Sequence, residues 1–170
     1  MTDMLETPRL TLHRPEARDW PAWEAFLATD RARFVGGPAD VGRAWRAFGH
    51  VIGHWTLRGY GSFILREKGS DTPIGLAGPW YPADWPEREI GWSIFTVHAE
   101  GRGIAAEAAR ATIAHAYDTL GWDTAVSYID PANARSIALA ERLGAVRDSS
   151  APRPHSEDLV YRHKRPAGMP

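Results

Sequence analysis

Between Glu87 and Leu120 the hydrophobic pattern changes period once, across Gly101-Arg102-Gly103. Upstream, Ile90, Trp92 and Ile94 alternate with Glu89, Gly91 and Ser93, the period of two expected of a strand over Glu87–Val97. Downstream, Ala105, Ala109, Ile113, Ala116 and Leu120 share one face of a helix running from Ile104 to Leu120, which Gly121 stops. The glycine turn therefore joins a strand directly to a helix, and the rest of the chain must be read around that junction.

Such a helix start carries unpaired backbone N–H groups and the positive end of the helix dipole. Gly101 and Gly103 let the backbone come close to a bulky anion, and Ala105 and Ala106 keep the first turn uncrowded. On physical grounds this is a pyrophosphate site, although a Gly-x-Gly pair alone also suits a simple turn. A P-loop would need Gly-Lys-Ser/Thr here, and that is absent. A Rossmann site would need G-x-G-x-x-G in the first βαβ unit, whereas this turn lies past mid-chain, after two antiparallel strands.

Elsewhere the two periods alternate. Residues 9–14 read as a strand ended by Pro15, and Asp19–Ala28 places Trp20, Trp23, Phe26 and Leu27 on one helical stripe. Val41–Leu57 reads as a second helix with Val41, Ala44, Trp45, Phe48, Ile52 and Trp55 facing inward. Strands over 61–67 and 73–80 flank the hairpin composition Lys68-Gly69-Ser70-Asp71, and Pro82–Pro86 is a loop. Thr124–Ile129 is a strand, Asn133–Leu143 a helix stopped by Gly144, and Ala145–Arg147 and Leu159–His163 are the last strands. The order β-α-α-β-β-β-α-β-α-β-β predicts an α/β (α+β) fold: a single mixed, mostly antiparallel central sheet with helices on both faces. It fills one domain over residues 1–165, with 166–170 as a disordered tail.

Composition removes several classes of function. The 170 residues contain no cysteine, which excludes a disulfide scaffold, a thiol nucleophile and a Cys-ligated metal. No apolar run approaches the roughly 20 residues a bilayer span requires. The start MTDMLETPRL has no apolar signal region, so the expected location is cytoplasmic. Residues 1–85 hold ten basic and ten acidic side chains and residues 86–170 hold ten and eleven, so neither half is a nucleic-acid surface. His50 and His54, at i and i+4, lack a third ligand and read as surface residues; no metal is expected.

Three segments carry a resemblance. Glu6-Thr7-Pro8-Arg9-Leu10-Thr11-Leu12 is similar to an opening strand; Glu100-Gly101-Arg102-Gly103-Ile104-Ala105 to a Q/R-x-x-G-x-G/A signature followed by Glu107-Ala108; and Asn133-Ala134-Arg135-Ser136 with Ala140-Glu141-Arg142-Leu143-Gly144-Ala145 to an N-x-x-S…E-x-L-G-F segment. Together they resemble the GNAT superfamily of acyl-CoA-dependent N-acyltransferases, in the branch close to the ribosomal-protein (RimJ/RimL-like) N-acetyltransferases. The likeness covers about Glu6 to His163.

The resemblance implies that the strand ending at Phe95-Thr96-Val97 splays from the Thr124–Ile129 strand and that pantetheine pairs with the exposed backbone. It implies a pyrophosphate held by Gly101, Arg102, Gly103, Ile104, Ala105 and Ala106, a pantetheine contact from Asn133, and Arg142 reaching toward the coenzyme phosphates. Acetyl-CoA is then the co-substrate, and the acceptor is a primary amine, either a small molecule or a protein N-terminus. No nucleic acid or membrane partner is implied, and a homodimer is compatible with the strand edges. A thioester is already activated, so the protein needs to align the reactants, remove a proton and stabilise an oxyanion. Glu89 is the implied base and Ser136 the proton donor to the departing thiolate, with an oxyanion N–H near Thr96 or Val97. Glu89→Gln is then expected to lower turnover most at low pH, where the amine is protonated.

Plainer readings stand beside these. Glu89 suits a solvated face, Asn133 and Ser136 suit a helix cap, and Trp80, Tyr81, Trp85 and Trp92 suit either packing or an acceptor pocket. Two positions depart from the pattern: Glu100 replaces Gln or Arg, and Ala140 stands where many members carry a Tyr acid. A non-catalytic acyl-CoA sensor on the same fold is the alternative reading.

Overall fold

The computed structural model describes residues 3–167. Of the expected tail, residues 166–167 have no regular structure, and 168–170 lie outside the described residues. The elements are β1 (Met4–Glu6), β2 (Leu10–His13), α1 (Trp20–Leu27), α2 (Val41–Arg58), β3 (Phe63–Glu67), β4 (Gly75–Trp80), β5 (Glu89–Ile94), α3 (Ile104–Ala114), β6 (Ala125–Ile129), α4 (Ala134–Arg142), β7 (Val146–Arg147) and β8 (Leu159–His163). Among the described residues the strands form one sheet in the order β1-β2-β3-β4-β5-β6-β8-β7, antiparallel throughout except for β5 beside β6.

Helices cover both faces. Phe63, Ile64 and Leu65 are all buried, as a strand with two covered faces requires. Leu12 and Leu65 pack with Ile104 and Ala108 of α3, whereas Ile64 packs with Trp23, Phe26 and Phe48 of α1 and α2. Asp19, fully buried at the head of α1, accepts from Arg66 of β3 and from the Glu16 N–H, so a paired charge pins α1 to the sheet.

Four details differ from the sequence expectation. β1 is an additional strand, a three-residue edge paired to β2 whose mostly exposed pattern gave no periodic signal. The inward stripe of α2 is Ala44, Phe48, Val51, His54 and Trp55, while Val41 and Trp45 are each 61% exposed. Trp45 packs edge-on against Trp20 at 4.9 Å on the rim of the core. His54 is buried, not on the surface: its Nδ1 donates to the Tyr60 carbonyl, Nε2 accepts the Tyr81 N–H, and the ring stacks on Trp80. Finally, β5 ends at Ile94, and Val97–Ala99 forms a 3-10 turn; α3 likewise finishes in a π-turn over His115–Thr119.

Candidate active site

β5 and β6 run parallel but share a single register pair, Glu89 with Val126, where the Val126 N–H donates to the Arg88 carbonyl at 3.0 Å. A continuing parallel ladder would carry the next N–H of β6, that of Tyr128, to the Ile90 carbonyl. Here the Ile90 carbonyl accepts instead from Ser127 Oγ at 2.6 Å. That caps the crotch of a fork, and beyond it no β6 backbone group pairs with the inner edge of β5 among the described residues; the Ile94 carbonyl accepts from Arg31 Nη2 at 3.5 Å.

The phase of that edge follows from one bond. The Phe95 N–H donates to the Ile74 carbonyl on the β4 side. Alternate residues of a strand point their backbone groups to opposite edges, so Trp92 and Ile94 turn theirs into the fork. The edge expected at Phe95-Thr96-Val97 therefore lies earlier. Phe95 faces away, its ring stacked on Phe26 at 4.6 Å and its carbonyl accepting from Arg31 Nε. Thr96 is the extended residue before the 3-10 turn, and Val97, inside that turn, is 71% exposed.

At the fork's mouth lies the glycine turn. Gly101 and Gly103 have φ of +69° and +75°, a region only glycine enters without strain. No acceptor faces the N–H groups of Gly101, Arg102 or Gly103 among the described residues. Ile104, Ala105 and Ala106 are the first three residues of α3, whose N–H groups have no partner inside the helix, and no side chain caps that end. Six consecutive donors and a helix dipole therefore meet at one place.

Arg9, which sequence reasoning gave no role, holds this turn in shape. Its Nη1 donates to the Arg102 carbonyl at 2.8 Å. In a trans peptide the C=O and the following N–H point opposite ways, so anchoring that carbonyl turns the Gly103 N–H away from Arg9. The Glu107 carboxylate accepts from Thr7 Oγ1, the Arg9 N–H and Arg9 Nε at 2.6 to 2.9 Å, tying the opening segment to α3. Burial raises the Glu107 carboxyl, but these bonds outweigh it and hold it below the ordinary carboxylate range. The Arg102 side chain turns aside to Glu67.

Glu100 would be an unfavourable neighbour for an anion if it were unpaired. Its Oε1 accepts from Arg31 at 2.6 Å and Arg135 at 2.8 Å. Burial opposes ionisation here too, yet the two arginines keep its carboxyl below the ordinary value. The cluster carries net positive charge, and Arg135, 82% exposed, is its solvent-facing member. Arg142 sits at the opposite end of α4, about 12 Å along the axis at ~1.5 Å per residue, and is not brought to the turn. The signal that could have found Arg135 is its place in the first turn of α4, beside the Asn133 cap.

Across the fork, Asn133 caps α4 by accepting from the Ser136 N–H at 3.2 Å. Ser136 Oγ accepts from Trp92 Nε1, also at 3.2 Å, linking α4 to β5. Ala140 is fully buried against Ile129 and Tyr161, so that position lines the core, not the opening. At the crotch, Trp85 Nε1 donates to Glu89 Oε2 at 2.5 Å. Burial pushes Glu89 up to about 7 despite the bonds from Trp85 and the Tyr128 backbone, and Asp158 adds to the rise. Of the four clustered aromatics, Trp85 and Trp92 thus belong to the fork, while Trp80 packs on His54 and the Tyr81 ring lies under Arg58.

Beneath the crotch, Ser127 Oγ spends its proton on Ile90, so His163 Nε2, 2.8 Å away, must be the donor to Ser127. Burial drives His163 down to about 4. An unfolded imidazole titrates near 6.5, so the unfolded state takes up a proton that the folded state refuses. The contribution of His163 to stability is expected to fall as pH drops from about 6.5 toward 4. Thermal melts should show it as a difference: relative to wild type, His163→Gln, which keeps a donor toward Ser127, should gain in Tm as pH drops through that range.

A sequence-family model described as Acetyltransferase (GNAT) domain matches residues 9–146. The chain is 41% identical to an acetyltransferase from Agrobacterium tumefaciens str. C58, covering 97% of this chain and 96% of that one with a TM-score of 0.91. A Bordetella pertussis protein assigned to the GNAT acetyltransferases is 26% identical over 96% of this chain and 100% of its own, with a TM-score of 0.80. The ribosomal-protein-S5-alanine acetyltransferase of Vibrio fischeri shares the fold alone, at 13% identity and a TM-score of 0.69 over 98% of this chain and 99% of that one. The family-model match spans most of the domain and agrees with the forked sheet, so the chain belongs to the GNAT acetyltransferase family.

Proposed function

We propose that the protein transfers an acetyl group from acetyl-CoA to a primary amine, on a small molecule or a protein N-terminus. The observation that carries this reading is the fork: the inner edge of β5, separated from β6 beyond Glu89, leads to the open N-terminus of α3. The donors from Gly101 to Ala106 suit the coenzyme pyrophosphate, and Arg135 adds an exposed cation beside them. The Trp92 backbone groups and the Ile94 N–H suit the pantetheine amides, as an added strand would. Asn133 Oδ1 is committed to its cap, which leaves its amide N–H groups for the same arm.

The chemistry follows from these positions. The acceptor ammonium gives a proton to the Glu89 carboxylate, directly or through water. The free amine attacks the thioester carbon, a C–N bond forms, and negative charge gathers on the carbonyl oxygen. A backbone N–H of the fork edge, Trp92 or Ile94, stabilises that charge. The C–S bond then breaks toward sulfur, and the Ser136 hydroxyl serves the departing thiolate. A cytoplasmic location and a homodimer belong to the same reading; among the described residues no helix is long and apolar enough to cross a membrane.

Calorimetry with CoA, followed by thiol release from acetyl-CoA over a panel of small amines and peptide N-termini, tests the reading. Binding with turnover on at least one amine is expected; binding without turnover on any acceptor supports the sensor alternative. Arg135→Ala is expected to weaken CoA about 3–10-fold and to reduce the salt dependence of binding, because an exposed charge-assisted contact is lost. Isothermal titration at two ionic strengths checks this.

A further inference from the structure

We infer that Trp92 is a positioning residue for thioester cleavage, fixing the direction in which Ser136 offers its proton. The inference rests on the acetyltransferase reading and deepens it. Ser136 is the third residue of α4, and its N–H is held by Asn133 Oδ1. Its Oγ lies 3.2 Å from Trp92 Nε1. An indole nitrogen only donates, so the serine oxygen takes this bond on a lone pair. The Ser136 O–H then has no acceptor among the described residues.

Two consequences follow. A serine left alone in a helix commonly turns its hydroxyl back to a carbonyl one turn earlier. The indole holds the oxygen on the β5 side instead, toward the fork edge that Trp92 itself supplies. A hydroxyl that accepts one hydrogen bond also donates the next more strongly. The ring is well placed for this, being packed against the two buried clusters that contain Ile90 and Ile129.

In the step itself, the amine nitrogen bonds to the thioester carbon and the C–S electron pair leaves on sulfur. Sulfur takes the proton of Ser136 Oγ. The serine oxygen regains a proton from the nitrogen as the amide forms. The hydrogen lost by nitrogen thus ends on sulfur, and Ser136 is unchanged over the cycle.

Trp92→Phe, Ser136→Ala and the double variant are compared by thiol release from acetyl-CoA with an amine the wild type acetylates. Ser136→Ala is expected to lower kcat about 10–100-fold. Trp92→Phe is expected to lower it about 3–10-fold, the worth of one neutral hydrogen bond. KM for acetyl-CoA should stay within about twofold in both, because neither change touches uniform binding. The double variant should be no slower than Ser136→Ala alone. In 15N-labelled protein the Trp92 indole resonance should shift in Ser136→Ala. Equal cost of Trp92→Phe in both backgrounds, or a loss confined to KM, overturns the inference. If Trp92→Phe does not fold, an indole resonance unmoved by Ser136→Ala overturns it instead. Wild-type protein that binds CoA but releases no thiol with any amine removes the acetyltransferase reading itself, and this inference with it.

Discussion

Glu89→Gln is expected to give a protein that is slower and more stable at once. At pH 8 its kcat should fall about 100-fold or more, the usual worth of a general base. The pH dependence has a specific form. With the carboxyl at about 7, the wild-type rate rises with pH up to that value and then levels, whereas the variant, dependent on the free amine, goes on rising toward about pH 10. Below pH 7 both rates fall about tenfold per pH unit, the wild type because its base is protonated and the variant because its amine is, so the difference between them is largest and constant there. Glu89 therefore matters most at and below pH 7, where the amine is protonated. Toward the amine's own pKa, near 10, a base is no longer needed and the difference closes.

The stability half has the opposite sign. A Glu titrating at 4.5 when unfolded and about 7 when folded makes the native state bind the extra proton. The Glu89 contribution to wild-type stability therefore falls as pH rises from 4.5 to 7 and is flat above. Gln carries no such cost and keeps an acceptor for the Trp85 N–H. The variant should gain about 1–3 kcal/mol above pH 7, after discounting for the solvent that reaches this half-buried group. That is a rise of about 2–4 °C per kcal/mol in Tm for a chain of this size. Loss of activity with a lower Tm at pH 8, or an unchanged pH–rate profile, would remove Glu89 from the base role.

The parts of this site that were legible in the sequence are those written in local patterns. Gly101 and Gly103 announced a turn needing positive φ, and the change of period around them placed a strand before it and a helix after it. Asn133 announced a helix start. The parts that were not legible depend on partners far apart in the chain. Nothing local ties Arg9 to Glu107, 98 positions on, or Arg31 to Glu100, 69 positions on. The apparent hazard of an acid at Glu100 vanishes only when its two arginines are seen together. The fork edge was misplaced because β5 stops at Ile94 while its apolar character runs on through Phe95 and Val97. Phe95 is apolar for a different reason: it fills the core beside Phe26. In α2, Val41 and Trp45 fit the helical period as well as Ala44 and Phe48 do, and only the packed neighbours decide which stripe turns inward.

Gly103→Pro is expected to abolish coenzyme binding, a loss of more than about 100-fold in affinity, since hydrogen bonds to charged groups are worth about 1.5–3 kcal/mol each and several are removed together. Proline cannot adopt the φ of +75° found at this position, and it carries no N–H. Straightening the turn also pulls the Arg102 carbonyl from Arg9 and redirects the neighbouring donors. Because such a change can unfold the start of α3, Ala105→Pro is the sharper instrument. Ala105 is the second residue of its helix, and the second residue of α1 is already a proline, Pro21, so this fold accepts proline there. The substitution deletes one N–H and leaves the turn and the rest of the helix in place. Calorimetry should show CoA weakened about tenfold, with the melting temperature within a few degrees of wild type. Binding of S-acetyl-pantetheine, which has no pyrophosphate, should be unchanged. CoA affinity equal to wild type in Ala105→Pro would mean the phosphates lie elsewhere, and the roles given to Gly101 through Ala106 would have to be withdrawn.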